Sequence, residues 1–213
     1  MLPDPAKPEI DHRTLKLLVG SIALTLGNLT SFFADSKITS ISAAYYEGGW
    51  SQSIFIGFLF AIAAFLFAYN GLSRPEMLMS KVAATAALGV ALFPCGCDGH
   101  AEIIPRVHFG SAGVMFLILT YFCRVFYNRA LAKGHTEAKR RAFIYAICGF
   151  AIVTAILVMV LDTVADGVLS SRVPRLVFYC ERAGLVAFGV SWFTASRILP
   201  GLTRPDERFS PLN

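Results

Sequence analysis

The chain has 213 residues, 55% hydrophobic and only 15% charged, with a formal net charge of +5 and a mean hydropathy of +0.60. Soluble domains carry roughly a quarter charged residues, so this deficit excludes an ordinary water-soluble domain and points to lipid as the solvent. The basic excess does not indicate nucleic acid, which needs a basic face interleaved with stacking aromatics. Here Lys and Arg fall mostly in short connectors between apolar runs.

Residues 1–13, with Pro3, Pro5 and Pro8, read as a short cytoplasmic tail. A cleaved secretory signal is disfavoured. The run from Leu15 to Phe33 is long for such a segment, and Phe32 would stand where the cleavage site wants a small residue. A helix needs about 20 mostly apolar residues to cross roughly 30 Å of hydrocarbon. Six stretches qualify: residues 15–33, 53–70, 79–94, 107–127, 142–161 and 176–199. The third carries Lys81, expected to snorkel to the headgroups, and runs into Pro94, so a broken or re-entrant segment stays open there. Residues 14–199 form a single all-α transmembrane domain, and residues 200–213 a second cytoplasmic tail.

Orientation follows from the basic residues of each connector. With both termini inside, the outer segments hold only Lys37, Arg106, Arg172 and Arg175 of the 19 basic residues, and Arg182 lies within the sixth span. All the others, including Lys139, Arg140 and Arg141, fall inside. In lipid, helices approach closely through small residues. Ala83, Ala87 and Ala91 supply one per turn on a single face, and Gly110, Gly113, Gly149, Gly184 and Gly189 offer similar contacts. Tyr45, Tyr46, Trp50, Tyr127, Tyr145, Tyr179 and Trp192 read as interfacial anchors.

The outer side carries the chemistry-bearing residues. The first connector holds Asp35, Ser40 and Ser42; the second runs Cys95-Gly96-Cys97-Asp98-Gly99-His100 and reaches His108; Asp162 closes span five, and Cys180, Glu181 and Arg182 open span six. An ionisable residue inside a span is costly unless paired. Successive helix residues point about 100° apart, so Glu181 and Arg182 need separate partners. Asp162 is the expected partner of Arg182, and Arg106 or His108 that of Glu181. Cys95, Cys97, Asp98, His100 and His108 are donors of the type that Zn or Cu prefers. Against this, Cys-x-Cys is not the usual knuckle spacing, and Cys180 is a plausible disulfide partner for Cys95 or Cys97. Cys123 and Cys148, inside spans, read as core packing.

The strings Ser40-Ile41-Ser42-Ala43-Ala44-Tyr45-Tyr46 and Phe55-Ile56-Gly57-Phe58-Leu59-Phe60 resemble a widespread group of bacterial six-span membrane proteins, the DUF998-like family. So do Ala87 to Pro94, His108-Phe109, Glu181 and Phe188-Gly189-Val190-Ser191-Trp192. The layout is also similar to Frag/DRAM-type membrane proteins. The resemblance covers about residues 35–195 and implies a multi-pass protein of the bacterial inner membrane; it transfers no catalytic residues. The Cys95–His100 insert departs from the group pattern.

Three functions fit these residues. The first is a non-enzymatic subunit, scaffold or accessory that packs with membrane lipids or another membrane protein. The second is a lipid-active hydrolase at the outer leaflet, metal-dependent or not, built from Ser40, Ser42, His108, Asp162 and Glu181, with Asp35 or Asp98 beside them. Alkaline ceramidase and progestin-receptor bundles house metal hydrolases, but with a late His-x-x-x-His pair that this chain lacks. The third is a small transporter, for which mid-span polarity is thin.

Overall fold

The computed structural model describes residues 11–97, 99–104 and 106–210. The proline-containing tail and the candidate ligand Asp98 lie outside the described residues. In chain order the helices are α1 (His12–Phe32), α2 (Ala44–Glu47), α3 (Gly49–Ala68), α4 (Arg74–Leu92), α5 (Val107–Lys133), α6 (Thr136–Val164), α7 (Val168–Arg172) and α8 (Leu176–Ala195). All but α2 and α7 are long and apolar enough to cross a membrane, which gives six candidate spans among the described residues. The fold is an all-α bundle that fits an integral membrane protein.

Local chemistry sets the helix ends. Asp11 caps α1, accepting from the Arg13 N–H at 3.0 Å. At the start of α4, Ser73 Oγ accepts from the Glu76 N–H and donates to the Glu76 carboxylate, a side-chain variant of the capping box. This box begins the third span at Arg74 rather than at residue 79, so it is a continuous 19-residue helix and not a broken one. Lys81 reaches toward the connector between α3 and α4. Its amine donates to the Phe67 carbonyl and to Asn70 Oδ1, closing the C-terminal end of α3. Gly134, left-handed at φ 75°, ends α5, and His135 caps α6. The basic cluster Lys139-Arg140-Arg141 therefore sits in the first turns of a helix, not in a loop.

Each span packs on its neighbours in sequence, and α8 packs on both α6 and α1, so the six spans close into a ring. The closest seam joins α1 and α8. A Cβ on Gly20 would stand 2.8 Å from the Phe193 nitrogen, and one on Gly189 would stand 2.9 Å from the Gly20 carbonyl oxygen. Gly184 likewise admits the Phe116 ring. Gly110 and Gly113, by contrast, face open space and make no such approach. Ala83, Ala87 and Ala91 are buried, as their spacing predicts. Of the aromatics assigned to the interfaces, Trp192 and Tyr145 are instead core residues. Trp192 packs against Tyr69, Phe122, Phe126 and Phe188. Outward, α6 exposes Ile147, Phe150, Leu157, Leu161 and Val164, the pattern lipid requires of a spanning helix.

The ends of the bundle differ. The terminal end gathers the starts of α1, α4 and α6 with the ends of α3, α5 and α8. There residues 196–210 fold back as a strap. The left-handed Arg197 turns the chain, the Phe209 N–H donates to the Arg197 carbonyl at 3.1 Å, and the 3-10 turn Pro205–Glu207 inserts Glu207 among Lys133, Arg141 and Arg197. The far end holds the longer connectors with α2 and α7.

Candidate functional site at the far end of the bundle

The first connector turns inward after Ile38, and its serines are positioned by tight turns. Ser40 Oγ accepts from the Ala43 N–H at 3.0 Å, which starts the turn leading into α2. Ser42 then lies between two spans. His108, in the first turn of α5, faces Ser42 Oγ through Nε2 at 3.0 Å and the Phe93 carbonyl oxygen through Nδ1 at 2.7 Å. Glu181, in the second turn of α8, accepts from the Ile41 N–H at 2.5 Å and faces Ser42 Oγ at 3.3 Å. A single chain of polar contacts thus joins the end of α4, the start of α5, the connector and α8.

The donors and acceptors fix the proton count. A carbonyl only accepts, so Nδ1 of His108 carries a proton. Ser42 has one hydroxyl proton for two acceptor neighbours. The chain is complete with one further proton, either on the Glu181 carboxyl or on His108 Nε2, and is neutral overall in both cases. Ser42 is 6% and His108 2% exposed, so both spend their polar atoms inside the bundle.

The other candidates stand apart. Asp162 accepts from the Leu169 and Ser170 N–H groups, both at 2.9 Å, and so caps α7 instead of pairing with Arg182. Arg182 is exposed, its stem against Gly27. Arg106 is likewise not a partner of Glu181; its N–H donates to Glu102 at 2.7 Å. Asp35 is exposed, while nearby Glu47 is held by the Ser36 hydroxyl and N–H, which keep its carboxyl below the usual range.

The cysteine segment is organised differently from either sequence expectation. Cys95 and Cys97 are bonded to each other, whereas Cys180 is buried and free; it does not pair with them because the adjacent cysteines are already joined. The Tyr46 hydroxyl donates to the Cys95 carbonyl at 2.7 Å, and its ring stacks on His100 at 3.7 Å between centroids. His108 faces Ser42 rather than this pair. Among the described residues, no three His, Cys, Asp or Glu side chains converge as a metal-binding group.

A second polar assembly was hidden in the sequence. Lys16, Arg129, Arg141 and Arg197, read only as determinants of topology, gather around a cavity at the terminal end. Their helical spacing marks the faces they share only once the helix starts at residues 12 and 136 are known. No family model, curated protein or solved structure matches this chain.

Proposed function

We propose that this chain is a non-enzymatic membrane component, a subunit or accessory that packs with lipids or with another membrane protein. In this reading it belongs to a bacterial inner membrane with both termini in the cytoplasm, as the basic residues at the terminal end favour and as the DUF998-like resemblance implies. One observation carries the reading: the order of groups along Phe93, His108, Ser42 and Glu181. In a hydrolytic triad the acid sits behind the histidine and orients it through its far nitrogen. Here a backbone carbonyl holds that place, and Glu181 stands on the serine's other side. The arrangement serves as a latch that fastens the first connector to α5 and α8.

A second reading, a lipid-active hydrolase, draws on the nucleophile–base distance of 3.0 Å between Ser42 and His108. One experiment separates the two. Purified protein and its His108→Ala variant are assayed against a panel of phospholipids and acyl esters. Background rates from both support the latch; turnover that disappears with His108 establishes the hydrolase and overturns it.

A further inference from the structure

A cavity of about 260 Å³ opens at the terminal end of the bundle, away from the Ser42–His108–Glu181 latch. Its walls carry Arg13, Lys16, Arg129, Lys133, Arg141 and Arg197, and its floor is the aromatic group Tyr69, Phe126 and Tyr145. Asp11 is the one carboxylate in the lining among the described residues. Two further carboxylates stand beside it, Glu76 on Arg129 and Glu207 on Lys133, Arg141 and Arg197. Among the described residues six cations thus face three anions, and like charges gathered in one place are costly without a counter-charge.

The unanswered groups point into the same space. The Lys16 amine sits 5.4 Å from the Tyr69 ring centre and 5.0 Å from that of Phe126, with no hydrogen bond or ion pair among the described residues. Tyr69 is 0% exposed; the Arg129 guanidinium beside its hydroxyl can only donate to it, so the hydroxyl's own proton has no acceptor among the described residues. His12 Nδ1, also at the cavity, is buried and has no hydrogen-bond partner among the described residues. Buried polar groups are nearly always satisfied, so donors left open around surplus positive charge describe a site for an anion. A carboxylate brings one charge in one plane. A phosphate brings up to two, with acceptors directed tetrahedrally, and so answers donors arriving from α1, the end of α3 and α5 together.

We propose that this cavity binds a phosphate group, with Lys16 and Tyr69 as its principal donors and the arginines as its electrostatic wall. The phosphate is either free in solution or the headgroup of a lipid, and the two sources share this chemistry. The site is independent of the latch, and neither reading depends on the other.

The full chain is placed in nanodiscs of phosphatidylcholine, and binding of inorganic phosphate is followed by calorimetry and by the thermal midpoint. In a second arm, phosphatidic acid is introduced into the discs and compared with phosphatidylglycerol, an anionic control whose phosphate is a diester. Binding in the first arm identifies a soluble phosphate; a response to phosphatidic acid alone identifies a headgroup; either supports the site. In the responding arm, Lys16→Met weakens binding about tenfold or more, the scale of one charge-assisted hydrogen bond. It also raises the ligand-free midpoint, because an unpaired cation is removed. Tyr69→Phe, which keeps the ring, weakens binding several-fold and decides the matter alone if Lys16→Met does not fold. No response in either arm, or unchanged affinity in Tyr69→Phe, overturns the proposal.

Discussion

Gly20 of α1 and Gly189 of α8 meet backbone against backbone, and a Cβ on Gly189 would stand 2.9 Å from the Gly20 carbonyl oxygen. That oxygen belongs to a helix and cannot swing aside like a side chain. The seam it lines is the one that closes the ring, since α8, the last of the six spans, packs there on α1, the first. Substituting Gly189 with Ala should therefore destabilise the bundle by about 1–3 kcal/mol, the usual cost of overpacking. Gly113→Ala, facing open space, should be neutral or slightly stabilising through helix propensity. Thermal unfolding in detergent compares the two directly.

The latch gives a second expectation. Ser42→Ala leaves His108 Nε2 and one Glu181 oxygen facing a methyl group. Two polar atoms inside the bundle then lose their shared partner, which costs about 1–3 kcal/mol for each group left unsatisfied. The variant should show a lower unfolding midpoint, together with faster amide exchange or proteolysis in residues 36–47, since the connector is what the latch holds. A midpoint equal to wild type would mean that Ser42 contributes nothing to fastening it.

Glu76 is 2% exposed on its side chain and pairs with Arg129 across the α4–α5 contact. It also closes the capping box of α4. Removing Arg129 alone, as in Arg129→Met, strands a buried carboxylate and should cost about 3–5 kcal/mol. The double variant with Glu76→Gln should recover part of that loss, because the uncompensated charge is gone. A double-mutant cycle on unfolding free energies reads the coupling.

The strap should be sensitive to acid. Burial alone would raise the Glu207 carboxyl, but the Lys133 hydrogen bond and the charges of Arg197, Lys133 and Arg141 outweigh it and lower it from 4.5 to about 2. A carboxyl held lower in the folded state than in the unfolded contributes stability that is complete above the unfolded value. That contribution is lost as pH falls from about 4.5 through about 2. Glu207→Gln should remove this acid-dependent part and leave the strap open to proteolysis at neutral pH. Limited proteolysis of residues 196–210 across the acid range is the measurement.

Much of the fold was legible because lipid leaves so few options. Apolar length marked the spans, and the Ala83, Ala87, Ala91 spacing marked a packed face that is buried. The errors have physical causes. Lys81 looked like an interruption because a cation in a span is expensive, but a carbonyl cluster at the end of α3 was in reach to receive it. Gly110 and Gly113 looked like contact residues, yet a glycine records only that a close approach is permitted. Trp192 and Tyr145 looked interfacial because they lie near span ends, while the strap and the cations above them extend the core past that level. At the far end, Ser42, His108 and Glu181 were all named from sequence. Their order was not, since it depends on Phe93 ending α4 with its carbonyl turned toward His108.

The ring also has a history written into its order. Of the six spans α1 is the first in chain order, yet its widest contact is with α8, the last of them. Its Gly20 face must wait in the bilayer through the insertion of every intervening span. A ribosome stalled, or a chain cut, anywhere before α8 leaves that seam open. The Gly20 face of α1 therefore has no partner until α8 is in place, so the last of the six spans is the one that completes the first.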